Sequence, residues 1–86
     1  MADQFRDETS QGRFVLETEG RQAFAIYRRQ GNDTLVIDHV EADPALRGTG
    51  AAGRLMEQVV AVAGAETRQI VPRCGYAASW LRRHRD

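Results

Sequence analysis

The chain has 86 residues, 42% of them hydrophobic and 28% charged, an ordinary globular mix from which one compact domain without a multidomain mechanism is expected, and which indicates neither wholesale disorder nor a membrane protein. Twelve basic and twelve acidic residues cancel to a formal net charge of +0, so the broad electropositive footprint of a dedicated nucleic-acid binder is absent and any anion site must be local. Every basic residue is Arg and Cys74 is the only cysteine, which removes lysine nucleophiles and Schiff bases, an internal disulfide framework and multi-cysteine metal centres.

Residues 1–12 are polar and aperiodic, and are expected to form a loose arm ahead of a single domain over 13–86. From Arg13 the pattern changes. Phe14 and Leu16 share one face of an extended segment, and Glu19-Gly20 supplies a two-residue reversal into a second strand over 22–29. That strand alternates Phe24 and Ile26 with Ala23, Ala25 and Tyr27, and Gln30-Gly31-Asn32-Asp33 makes the next turn. In the third strand, over 34–41, strict alternation puts Leu35, Ile37, His39 and Glu41 on one side and Val36, Asp38 and Val40 on the other.

Beyond Asp43-Pro44, a glycine-rich loop leads into apolar residues at Ala52, Leu55, Met56, Val59, Val60 and Ala63, a helical spacing that Gly64 is expected to end. Arg68-Gln69-Ile70-Val71 reads as a short strand stopped by Pro72. Strand, helix and strand at these lengths predict a crossover, with the last strand parallel to the third. Residues 75–84 set Ala77, Trp80 and Leu81 on one stripe, and Arg82, Arg83 and Arg85 stand at the end where cations suit the helix dipole. The predicted class is therefore α+β: a three-stranded antiparallel meander, a crossover helix, one parallel strand and a C-terminal helix. No apolar run spans a bilayer and the start lacks a signal-peptide core, so a soluble cytoplasmic protein is expected. Two histidines without a ligand cluster predict no metal.

The turn Arg47-Gly48-Thr49-Gly50-Ala51-Ala52-Gly53 sits between a strand and a helix. Gly48 and Gly50 admit positive φ and close approach of a ligand, and the helix terminus behind them favours a phosphate or pyrophosphate. The alternative is a tight turn of purely structural use. A P-loop is excluded because the chain has no Lys. Gly48, Gly50 and Gly53 satisfy the dinucleotide spacing, but the strand ends a meander and no acidic residue closes a second strand about 20 residues later.

Arg47, Gly50 and Ala52 also fill motif A of the GCN5-related N-acetyltransferases: Arg or Gln, two residues, Gly, one residue, Gly or Ala. With His39-Val40-Glu41 before the loop and Cys74-Gly75-Tyr76 after the last strand, the chain resembles a small single-domain subfamily marked by His-x-Glu, Arg-Gly-x-Gly and Cys-x-Tyr segments. The resemblance implies a minimal core of that fold, acetyl-coenzyme A (acetyl-CoA) as cofactor, an amine acceptor as the other partner, and a monomer or weak homodimer. It implies that Val40, Arg47, Gly48, Thr49, Gly50, Ala51, Ala52, Gly53 and Tyr76 hold the coenzyme, the loop N–H groups taking its pyrophosphate. The thioester would then approach His39, Glu41 and Cys74, the implied catalytic residues, where the third and last strands splay apart. Larger relatives have two further helices that wall the acceptor side and a Tyr on the last helix as acid for the departing thiolate. Here the acceptor side is expected to be open, and Leu81 stands at the Tyr position. These departures keep a second function in view, an acyl-CoA-binding sensor or carrier without efficient transfer, and a third, an interaction domain.

Single residues carry two readings each. Cys74 lies between a strand end and a helix start beside Arg73, where a cation and a helix terminus favour thiolate; it is either a nucleophile or thioester-positioning group, or a buried small residue. His39 is either a half-core imidazole or a base for the amine, and Glu41 either a base or a solvated strand-end carboxylate. Trp80 and Met56 read as core. The Arg82, Arg83 and Arg85 cluster reads as a solvated helix end.

Overall fold

Glu19 and Gly20 both take positive φ, 54° and 73°, the signature of a type I′ turn whose twist matches that of the strands it joins. It closes the hairpin of β2 (Arg13–Thr18) and β3 (Arg21–Gln30), and β4 (Thr34–Ala42) continues the antiparallel meander. Helix α1 (Ala51–Ala65) then carries the chain over to β5 (Gln69–Pro72), which pairs parallel to β4, and α2 (Gly75–His84) follows. The computed structural model describes residues 2–84; Arg85 of the expected arginine cluster lies outside them.

The segment expected to be a loose arm is instead largely strand. Gln4–Glu8 forms β1, antiparallel to β2, and completes a sheet in the order β1-β2-β3-β4-β5. Among the described residues of this segment only Phe5 joins the apolar cluster, from its margin, stacked on Phe14 at 5.8 Å. The strand is otherwise held by polar groups. Arg6 bonds Glu8 and Glu17, Arg13 bonds Glu8, and the Asp7 carboxylate accepts from the Tyr27 hydroxyl at 2.5 Å and from Arg29 at 2.9 Å. Cross-strand polar pairing replaced the apolar alternation on which a strand reading depends.

One face of the sheet carries the core. Phe14, Leu16, Ala23, Ala25, Tyr27, Leu35 and Ile37 meet Leu55, Met56 and Val59 of α1 and Ala77 and Trp80 of α2 in one buried cluster. Leu46, from a short 3₁₀ turn after β4, closes it near the glycine loop. Val15 and Val36 are buried outside that cluster; the ladder places Arg6 and Phe24 beside Val15, and Arg28 and Val71 beside Val36. The guanidinium of Arg13 lies 5.7 Å from the Phe24 ring centre. Long side chains therefore seal this second face where a helix would otherwise do so.

Gly64 does not end α1. The helix runs to Ala65, and the left-handed residue is Thr67, φ 55°, with its N–H on the Gly64 carbonyl and that of Arg68 on Ala63. Among the described residues no helix is long and apolar enough to cross a membrane.

Candidate active site

A bulge in β4 sets the geometry. Tyr27 pairs with Ile37 and Ile26 with His39, which leaves Asp38 as an extra residue without a partner. An extra residue inverts the alternation beyond it. Leu35 and Ile37 face the core, and after the bulge Val40 and Ala42 return to that side. His39 and Glu41 turn to the opposite face, their side chains 52% and 61% exposed. The expectation that they share a face with Leu35 and Ile37 is thus corrected. Asp38 is held where it is by a two-point contact with Arg28, at 2.8 and 3.0 Å. Arg28 and, less closely, Arg73 at 3.9 Å keep its carboxyl below the usual range.

The bulge also coincides with the splay of two strands. Pairing between β4 and β5 ends at Ile37 and Pro72, with one further bond from the Arg73 N–H to the Ile37 carbonyl at 2.9 Å, while β4 continues to Ala42. Cys74 follows directly. It is half-buried against the margin of the core, and its carbonyl accepts the Ala78 N–H as the first bond of α2.

His39 and Glu41 form a pair, Nε2 to Oε1 at 3.0 Å. An ionised carboxylate only accepts, so with a neutral ring the proton sits on Nε2 and the Nδ1 lone pair is free. Glu41 also lines a shallow cavity of about 470 Å³ on the open face, together with Gly20, Phe24 and Asp43. An apolar groove of about 530 Å³, lined by Val60, Ile70 and Leu81 among others, lies beyond β5 and contains none of these groups.

The glycine turn has the shape expected of it. Gly48 and Gly50 take φ of 78° and 79°, and Gly50 is the N-cap of α1. Thr49 braces the loop, its hydroxyl donating to the Leu46 carbonyl at 2.6 Å and accepting the Ala51 N–H at 3.3 Å. The N–H groups of Gly48, Gly50, Ala52 and Gly53 have no acceptor among the described residues. Four free donors at a helix start, with no Cβ at three of the positions, fit a diphosphate group.

Gly53 has a second use. A Cβ there would lie 3.4 Å from Trp80 Nε1 and 4.0 Å from the Tyr76 hydroxyl, so this glycine lets α2 close on α1. Tyr76 is thereby brought beside the loop, 37% exposed, with partial burial raising its phenol above the ordinary value. Trp80 is core, as expected, and stacks on His84 at 4.0 Å, where Nδ1–H donates to its carbonyl at 2.8 Å.

A family model described as GCN5-related N-acetyl-transferase matches residues 13–86. The chain belongs to the GCN5-related N-acetyltransferase family. No curated protein matches it. Members of this acetyltransferase family generally use acetyl-CoA, and the fold above is a minimal form of theirs: a mixed five-stranded sheet with one parallel pair and two helices.

Two residues of the site escaped the sequence reading. Arg54 stands one turn beyond Gly50, and its Nη1 donates to the Thr49 carbonyl at 2.6 Å, so its guanidinium folds back over the glycine turn. The i to i+4 spacing from the N-cap was available as a signal. Asp3, which takes the rest of that guanidinium, lies 51 residues away and left no local trace.

Proposed function

We propose that this protein transfers an acetyl group from acetyl-CoA to a primary amine. The observation that carries the reading is the division of groups across the β4–β5 splay, with the glycine turn at the α1 end and the His39–Glu41 pair on the open face. Arg47, Gly48, Thr49, Gly50, Ala51, Ala52 and Gly53 would hold the coenzyme's diphosphate, with Val40 and Tyr76 along its arm. Bound acetyl-CoA supplies an activated acetyl thioester. His39 accepts the amine's proton at Nδ1, and the Glu41 carboxylate, fixed on Nε2–H, stabilises the imidazolium that results. Phe24 and Glu41 border a shallow cavity on the same open face, which would receive the acceptor. No hydrogen bond joins the Cys74 thiol to His39 or Glu41 among the described residues, so its role in this reading is to shape the thioester's seat.

Leu81 supports the second reading, an acyl-CoA sensor or carrier. It is partly buried against the core and has no proton for a departing thiolate. Two measurements separate the readings. Thermal melting with acetyl-CoA tests binding; at 100 times the dissociation constant the gain is about 2.7 kcal/mol, roughly ten degrees or more for so small a domain. Single-turnover transfer to a panel of amines then tests chemistry. No shift at millimolar ligand removes both readings, and a shift without transfer leaves the sensor.

A further inference from the structure

We infer that Asp3 is an internal competitor for the coenzyme site: it holds Arg54 in place of the diphosphate, and binding requires Arg54 to exchange one anion for the other. The inference rests on the coenzyme reading above and concerns the regulation of that same turn.

Each nitrogen of the Arg54 guanidinium donates one hydrogen bond. Nε donates to Asp3 Oδ2 at 2.7 Å, Nη2 to Asp3 Oδ1 at 3.3 Å, and Nη1 to the Thr49 carbonyl at 2.6 Å. Nη1 also lies 3.5 Å from the point where a Cβ on Gly50 would stand. Arg54 therefore sits beside the turn's free N–H groups, and the edge formed by its Nε and Nη2 is closed by a carboxylate. Arg47, at the start of the turn, makes no side-chain bond or ion pair among the described residues, so the two arginines of this region differ in what occupies them.

A carboxylate and a phosphate oxygen pair present the same two-point acceptor to an arginine fork. Asp3 is therefore a stand-in for the anion that the turn is built to take. Arg54 and Asp3 are partly solvated, 38% and 29% exposed, and a pair of this kind is weak enough to open. A diphosphate carries more charge than one carboxylate and meets the turn's backbone donors as well, so it displaces Asp3 rather than being excluded. Asp3 immediately precedes β1, whose attachment to the rest of the sheet is mainly polar. Release of Arg54 thus frees the start of β1, and anything that holds Asp3 elsewhere raises affinity at the turn.

The test is a double-mutant cycle read by calorimetric titration with coenzyme A, using wild type, Asp3→Asn, Arg54→Gln and the double variant, each first shown by circular dichroism to be folded. The exchange predicts that Asp3→Asn binds about two- to fivefold tighter, the range expected from an exposed ion pair. Arg54→Gln should bind several-fold weaker, and the Asp3→Asn gain should vanish when Arg54 is absent. An equal gain with and without Arg54 would mean that Asp3 acts by general repulsion, which overturns the exchange. Unchanged affinity in Asp3→Asn overturns it as well, while leaving the coenzyme reading standing. Absence of binding in all four proteins removes the coenzyme reading and the exchange together.

Discussion

Ile37 and His39 are two residues apart on one strand and lie on opposite faces of the sheet, Ile37 wholly buried and the His39 side chain 52% exposed. In a regular strand they would point the same way. The bulged Asp38 between them turns a core strand into one that ends in a solvent-facing acid–base pair.

The two residues should accordingly answer differently to truncation. Ile37→Ala leaves a cavity in the core and is expected to cost about 2–5 kcal/mol, roughly ten degrees or more of melting temperature here. His39→Ala should stay within about 0.5 kcal/mol of wild type while lowering acetyl transfer to amines by about a hundredfold or more, the usual contribution of a general base. Denaturant melts and single-turnover rates on the same samples check both. A large stability loss in His39→Ala would place the imidazole in the core after all.

The glycines of the turn separate binding from packing. At Gly50, φ of 79° and a free N–H make both strain and steric blockage effective, so Gly50→Val is expected to cost about 1–2 kcal/mol in backbone strain and to abolish the coenzyme-induced melting shift. Gly53 has no positive φ, and a larger side chain there meets Trp80. Gly53→Val should therefore lower the melting temperature through the α1–α2 contact. A Gly50→Val protein that folds and still shifts with acetyl-CoA would move the diphosphate site elsewhere.

The meander, the parallel last strand and both helices were legible because apolar residues recur at strand and helix periods, as in Phe14 and Leu16 or Leu55, Met56 and Val59. The glycine turn was legible because positive φ demands particular residues. Strand β1 was not, since its sheet contacts are mostly Arg6, Asp7 and Glu8 reaching for charged partners across the ladder. The face of His39 was not, because a bulge changes the parity of a strand without altering its composition; the only hint was a charged residue, Asp38, amid a β-branched run. Gly64 misled because the left-handed position fell to Thr67.

A second ion network predicts an acid transition. Glu66 receives Nε and Nη2 of Arg29 at 2.8 and 2.7 Å and Nε of Arg68 at 2.8 Å, and Arg29 first, then Arg68, holds its carboxyl down at about 2 against an ordinary value of 4.5. A carboxyl lowered by folding stabilises the protein above its unfolded pKa, and that contribution fades as pH falls from about 4.5 toward 2. The expected result is a lower melting temperature for Glu66→Gln than for wild type at neutral pH, with the two curves converging near pH 2. A difference that does not change with pH would assign the effect to packing.

Cys74 decides between two routes for the acetyl group. A covalent route needs its thiolate to attack the thioester carbonyl, with the carbon–sulfur bond to the coenzyme breaking and the coenzyme thiol leaving; such a nucleophile ordinarily has a base within hydrogen-bond reach. Here the thiol rests against the margin of the core, and no hydrogen bond joins it to His39 or Glu41 on the open face among the described residues. Direct attack by the amine is therefore expected. Incubation with acetyl-CoA should leave no hydroxylamine-labile acetyl mass on the peptide containing Cys74. Cys74→Ala should keep the coenzyme-induced melting shift, because the turn proposed to hold the diphosphate lies on another loop, and should slow transfer through kcat if the thiol shapes the proposed thioester seat. A labile acetyl adduct that forms and decays at the rate of amine acetylation would establish the covalent route instead. Unchanged binding together with unchanged transfer would reduce Cys74 to a packing residue and leave His39 and Glu41 as the whole of the chemistry.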